Sequence, residues 1–424
     1  MLTTIKKYTK TPNHFKPAPC GKSQKTMSYE IGTVVWSGVY ALLASTVGYF
    51  LFLGVLTIPA CQNQAIYLNK ITLTWGQDVT VPEQWGFLHN QVTPFTLDTS
   101  DGETLHAWHI LPPGLYQTHE KELLAEPASV ALNITSRLGF KLLRDDPESL
   151  LVLYFHGVAG TLGSGWRPQS YRAMSALNQD KIHTVAIDYR GFGMSSGSPS
   201  EQGLLNDALT LAKWAVEVAG IPPSRIVLFA QSLGTAVSVS LAHHLATQVD
   251  RPIFFSGMVL VAPFADVELL TATYRIGGTI PLLDPIARFP WLLDFFNRFI
   301  IAKWPTKNKL AELIRFCEMS SDDSARYDIT IIHAEDDYDI PWEHSDLLYW
   351  HAVNASLPHG ISYEELEREK LVSKSDLQAG GWVVNQETQK GSLREAITTW
   401  GLHDKIMSYP IVSLAISRAF QDRD

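Results

Sequence analysis

Two hydrophobic patterns divide the chain. No charged residue interrupts Ile31 to Asn69, and the core of that stretch, Val34 to Ile58, is almost wholly apolar. A helix of about 25 residues rising roughly 1.5 Å each is near 37 Å long, enough to span a hydrocarbon core of about 30 Å with some tilt. The run is longer than the apolar part of a cleaved signal peptide and begins too far from Met1 to be one. The pattern predicts a tail over 1–30, a transmembrane helix over 31–59 with Trp36, Tyr40 and Tyr49 supplying interfacial anchors, and a linker over 60–94.

From Phe95 onward short apolar runs alternate with amphipathic ones. Pro94 to Ile110 reads as two strands joined by an Asp101-Gly102 hairpin turn, and a polar, partly helical excursion follows as far as Ser149. Strands are then expected at Leu150 to Phe155, Ile182 to Ile187, Arg225 to Phe229, Gly257 to Val261 and Asp328 to His333, with a last one at Gly381 to Val384. Helices fall between them at Gly203 to Val218 and Thr235 to Ala246, and an amphipathic helix at Ile406 to Phe420 closes the chain. Such alternation predicts an α/β fold, a mostly parallel sheet with helices on both faces, over 95–424. It breaks between Pro263 and Ala325, where Pro281 to Trp304 is dense in aromatic and aliphatic residues; this predicts a helical cap over about 264–325. The segment Tyr363 to Lys374, alternating Glu with Lys and Arg, reads as a solvated face.

The run Arg225-Ile-Val-Leu-Phe-Ala-Gln-Ser-Leu-Gly-Thr235 carries chemistry. It leads a buried strand through a small-x-Ser-x-Gly turn into a helix, the setting in which a serine is presented on a sharp bend away from the sheet. The pattern alone arises often by chance; its strand-turn-helix context is what singles out Ser232 as a nucleophile. Ala230 stands where glycine is usual, adding one methyl group at the crossing.

An activated serine needs a base and a carboxylate to orient that base. In His333-Ala-Glu-Asp-Asp-Tyr-Asp-Ile-Pro341 acids sit on the turn leaving a strand, and Asp337 is the choice, with Asp336 and Asp339 as rivals. The base should follow the acid and one further strand. Among 14 histidines this sets aside His344, His351 and His359 and leaves His403, ahead of the last helix. The N–H groups of Val158, just after His156-Gly157, and Leu233, just after Ser232, are candidates for an oxyanion hole, with Gly157 and Gly160 allowing the loop unusual backbone angles.

Composition narrows the partners. A net charge of −9 with no basic stripe argues against nucleic acid. Three scattered cysteines, Cys20, Cys61 and Cys317, make neither a disulfide framework nor a zinc site, and no metal or organic cofactor is implied. Six lysines, Lys6, Lys7, Lys10, Lys16, Lys22 and Lys25, precede the apolar span against Glu30 alone, whereas Lys70, Asp78 and Glu83 follow it. The tail should therefore face the cytosol and the remainder the lumenal or extracellular side, where the sequons at Asn133 and Asn354 are open to glycosylation.

The motifs Tyr154-Phe-His-Gly-Val-Ala-Gly160, Asp188-Tyr-Arg-Gly-Phe-Gly193 with Gly197-Ser-Pro-Ser-Glu201, Gln231-Ser-Leu-Gly-Thr235 and His333-Ala-Glu-Asp-Asp337, together with His403, resemble those of the α/β-hydrolase superfamily. The resemblance runs from about Phe95 to Phe420 and is narrowest to a membrane-anchored branch. It implies a lumen-facing serine hydrolase, in the endoplasmic reticulum, acting on lysophospholipids such as lysophosphatidylserine and on monoacylglycerols. Departures are Ala230 and a charged insertion around Ser362 to Lys390. The expected function is hydrolysis of lipid carboxylic esters next to a bilayer. Its rivals are an acyl-protein thioesterase and a non-catalytic membrane scaffold of the same fold.

Overall fold

The computed structural model describes residues 24–276, 279–281, 283–377 and 380–421, which fall into two units, one up to Leu56 and one from Thr57. The first is one helix, Gln24–Leu56, of 33 residues. It contains a stretch, Thr33–Leu56, of 24 residues and mean hydropathy 2.0, long and apolar enough to cross a membrane. The helix stops short of the expected residue 59 because Pro59 opens a separate short helix, Pro59–Tyr67, and a proline cannot continue a helix that precedes it. Lys6, Lys7, Lys10, Lys16 and Lys22 of the tail lie outside the described residues.

The second unit is built on a ten-stranded sheet. Its strands are β1 (Val92–Asp98), β2 (Thr104–Ile110), β3 (Leu150–Phe155), β4 (Ile182–Ile187), β5 (Ile226–Gln231) and β6 (Gly257–Val261). A small separate hairpin, β7 (Arg275–Ile276) with β8 (Ile280–Pro281), precedes β9 (Tyr327–Ala334), β10 (Ser375–Asp376), β11 (Trp382–Glu387) and β12 (Gly391–Thr398). The order is β1-β2-β4-β3-β5-β6-β9-β12-β11-β10. The six central strands from β4 to β12 are parallel, and antiparallel strands finish both edges. Alternate residues of each strand enter opposite faces, as the pleat requires. Leu151, Leu153, Phe155, Leu228 and Ala230 join one core, and Val152, Tyr154, Val227 and Phe229 the other. Helix starts are capped where short polar side chains precede them: Ser200 accepts from the Gly203 N–H, and Asp266 from the Leu269 N–H.

Four expectations change. The strand beside β9 is β12, whereas Gly381 to Val384 falls at the start of its antiparallel neighbour β11. β12 does not look like an inner strand because it carries Arg394 and Glu395. The Glu395 side chain is fully buried, and its carboxylate lies 2.8 Å from the Lys370 ammonium. Lys370 comes from the helix Tyr363–Ser373, the segment read as a solvated face, and also pairs with Asp346. Burial raises Glu395 to about 7 against the pull of Lys370. A charge on each element compensates the other, which neither segment reveals by itself.

The expected linker is packed rather than free: Tyr67, Val79 and Phe87 are buried, and Asn69 donates to the Gly191 carbonyl. Within the expected cap, the helix Thr306–Met319 buries Leu310, Leu313, Ile314 and Cys317 in the main core. The excursion from the body is therefore 264–305, comprising the helices Val267–Thr273, Asp284–Ala287 and Pro290–Asn297 and the β7–β8 hairpin. It leaves Trp291, Phe295 and Phe299, at helical spacing of four, exposed at 71%, 47% and 42%.

Candidate active site

Four loops that leave the C-terminal ends of parallel strands meet at one edge of the sheet. That is where open α/β sheets place their ligands. β5 ends at Gln231, and Ser232 follows with φ 53° and ψ −122°, a left-handed strain rare for a side-chain-bearing residue, before the helix Leu233–Thr247 begins. The bend depends on Gly234. A Cβ there would sit 2.0 Å from the Phe155 carbonyl oxygen on β3. Gly157 is needed for the same kind of reason: a Cβ would lie 2.3 Å from Gln231 Oε1 and 3.0 Å from Ser232 Cβ. Space, not backbone angle, explains Gly157, while the left-handed angles fall on Ala159 (54°) and Gly160 (69°).

β9 delivers Asp337 and β12 delivers His403. His403 Nδ1 lies 2.7 Å from Asp337 Oδ2, across 66 residues of sequence. The other carboxylate oxygen, Oδ1, accepts the N–H groups of Asp339 and Ile340 at 2.9 and 3.0 Å. Oδ2 also meets His333 Nε2 at 3.0 Å, and His333 Nδ1 reaches Ser345 Oγ at 2.6 Å. His333 is thus a buried orienter of the acid that the sequence reading passed over, although it heads the same motif. The rival acids take other places. Asp336 accepts the N–H groups of Gly401 and Leu402, both at 2.8 Å, and so holds the loop that carries His403. Asp339 offers an oxygen within 4.8 Å of the Asp337 and His403 ligand atoms. The His403 imidazole is already hydrogen-bonded to Asp337 through Nδ1.

The His403 loop is also tied to β5. Gln231 Nε2 donates to the His403 carbonyl at 3.3 Å and to Asp404 Oδ1 at 3.1 Å, so the residue before Ser232 holds the backbone of the histidine. Among the described residues, the N–H groups of Val158 and Leu233 have no hydrogen-bond partner, whereas their neighbours Ser232, Ala159 and Gly160 all donate. Two unspent donors flank the serine.

Burial alone would raise the Asp337 carboxyl, but the charge of His403 and hydrogen bonds from both histidines carry it far below the usual carboxylate range. Burial likewise works against the His403 imidazolium; Asp337 above all, helped by Asp404 and Asp339, outweighs it and lifts the ring to about 9. The sign follows. The imidazolium–carboxylate pair stabilises the fold below about pH 6.5 and that contribution is lost as pH rises through about 9. As the expected base, His403 must be neutral to accept a proton, so kcat/KM on an ester should still be climbing at neutral pH and level off only above about pH 9. A profile already flat at about pH 7 would show that the ring titrates at the ordinary histidine value.

A strained serine, an Asp–His pair and two free amides lie at the strand tips, and the chain belongs to the alpha/beta hydrolase family, whose model matches residues 150–365. That stretch includes Ser232 and Asp337 and ends before His403. Among curated proteins the chain is similar to the lysophosphatidylserine lipase ABHD12 of Danio rerio, 28% identical over 292 residues covering 69% of this chain and 66% of that one. The Mus musculus protein of the same name is 26% identical over 346 residues, covering 81% and 76%. A solved alpha-beta hydrolase from Vibrio vulnificus aligns with a TM-score of 0.49 and 15% identity, over 85% of this chain and 91% of that one.

Proposed function

We propose that this protein is a membrane-anchored serine hydrolase that cleaves carboxylic esters of lipids through an acyl-enzyme. The observation that carries the reading is the 2.7 Å Asp337–His403 contact on a loop whose His403 carbonyl accepts from Gln231, the residue before Ser232. Ser232 Oγ adds to the ester carbonyl carbon while its proton passes to His403 Nε2. The oxyanion lies between Val158 N–H and Leu233 N–H, the latter at a helix N-terminus whose dipole favours negative charge. Collapse expels the alcohol, which takes the proton from His403. Water, deprotonated by the same ring, then releases the fatty acid. Asp337 keeps the imidazole in the tautomer that leaves Nε2 free to accept.

Two features favour a lipid as substrate: the relatives are named as lysophosphatidylserine lipases, and the apolar excursion 264–305 leaves aromatic side chains exposed. Each methylene of an acyl chain buried by such a surface contributes about 0.8 kcal/mol. Lysophospholipids and monoacylglycerols are the preferred classes. The stretch Thr33–Leu56 anchors the protein, with the tail cytosolic and the hydrolase domain in the lumen of the endoplasmic reticulum.

The test uses full-length protein in bilayers supplied with lysophosphatidylserine and with a monoacylglycerol. Fatty acid should be released and a fluorophosphonate should label the chain. Failure of both on well-folded protein would remove the reading. Protease protection in intact microsomes separates the topologies: a cytosolic Ser232 would turn the assignment toward acyl-protein thioesters.

A further inference from the structure

We propose that Arg167 is the positioning residue of the oxyanion hole: its guanidinium fixes the Gly157–Val158 peptide and so aims the Val158 N–H at the oxygen of a bound ester. The proposal rests on the hydrolase reading above. Arg167 opens the helix Arg167–Met174 and is only 7% exposed. Its Nη1 donates to the Thr161 carbonyl at 2.6 Å, and its Nη2 to the carbonyls of Gly157, Val158 and Ala159 at 3.2, 3.3 and 2.8 Å.

Four carbonyl dipoles therefore point their negative ends at one spot. Without a cation there they would repel each other and splay. Left-handed angles at Ala159 and Gly160 fold the loop into this convergent cradle. Arginine suits it because its planar fork offers donors in several fixed directions, which a lysine ammonium does not match.

In a trans peptide the C=O and the following N–H point opposite ways. With the Val158 and Ala159 carbonyls on Arg167, the N–H groups of Ala159 and Gly160 point away from it and reach the carbonyls of Tyr67 and Ile71, at 3.0 and 2.6 Å. The Gly157–Val158 peptide follows the same pattern on its carbonyl side and breaks it on the other: Gly157 O is held by Arg167 at 3.2 Å and meets His156 Nδ1 at 2.7 Å, while Val158 N–H has no partner among the described residues. Because Gly157 packs against Ser232, the Val158 N–H, which like that of Gly157 has no partner among the described residues, sits beside the expected nucleophile. Arg167 touches no reacting atom. It acts by keeping this peptide from rotating.

Arg167→Met and Arg167→Lys, made in the full-length protein, test this. Three quantities are compared with wild type: steady-state kinetics on a lysophospholipid, inhibition by a trifluoromethyl ketone that adds to Ser232 as a tetrahedral oxyanion, and affinity for a non-hydrolysable ether lysolipid. For Arg167→Met, kcat should fall by about a hundred- to a thousandfold, the worth of one oxyanion donor. The ketone Ki should rise by the same factor while ether-lipid affinity and KM stay near wild type. Lysine, restoring charge but not the fork, should fall between. Wild-type kcat in the methionine variant overturns the proposal, and so does a loss of kcat with no matching rise in the ketone Ki. Should Arg167→Met not fold, the same paired measurements on Arg167→Lys decide: a matched loss upholds the proposal and an unchanged kcat overturns it. Wild-type protein that neither turns over ester nor takes a fluorophosphonate would instead remove the hydrolase reading.

Discussion

Ser232→Ala is expected to abolish ester turnover and fluorophosphonate labelling together, with kcat lowered by about a millionfold, the scale on which a nucleophile and its base act as one unit. The fold should be indifferent. Alanine tolerates φ 53° no worse than serine, and the backbone bonds of the bend, Ser232 N–H to the Val261 carbonyl and Thr235 N–H to the Ser232 carbonyl, do not involve the hydroxyl. Thermal unfolding should therefore match wild type, so lost activity reports chemistry and not collapse. Labelling that survives in the variant would move the nucleophile elsewhere.

Asp337→Asn should cost about ten-thousandfold in kcat, because it inverts the hydrogen-bond polarity at the base while keeping the shape. The Asp339 and Ile340 N–H groups already fill Oδ1, so the amide nitrogen is forced into the Oδ2 position, facing His403 Nδ1 and His333 Nε2. An N–H directed at Nδ1 makes that atom an acceptor and puts the ring proton on Nε2, where the serine proton has to go. Loss of the carboxylate also removes the main influence holding His403 up. Residual activity should then titrate well to the acid side of the wild-type limb. A profile unmoved by the substitution would mean that Asp337 does not set the state of His403, and the pairing would lose its catalytic meaning.

Expectation and structure agree where local pattern and burial coincide. β3, β4 and β6 have the boundaries read from their apolar runs, because strands buried on both faces carry their own signature. The Ser232 bend was legible for a similar reason: small residues at close crossings and a helix directly after a strand are local facts. Agreement fails at β12. Glu395 and Lys370 look like solvent-facing charges in their own segments and become buried partners only when helix and strand pack.

The chain by itself thus pointed to the parallel α/β sheet, the apolar N-terminal stretch, and Ser232, Asp337 and His403 as candidates on loops that follow strands. Only the tertiary structure decided which acid meets which histidine, since Asp336, Asp337 and Asp339 share one loop and differ in what they face. It also decided that residues 60–94 pack onto the body and that Arg167 gathers the carbonyls of the Val158 loop. The physical reason is one and the same. Backbone preference and apolar periodicity act between neighbours in sequence, whereas pairing of buried charges and hydrogen bonds joins residues far apart in the chain, and their partners exist only once the sheet has brought them together.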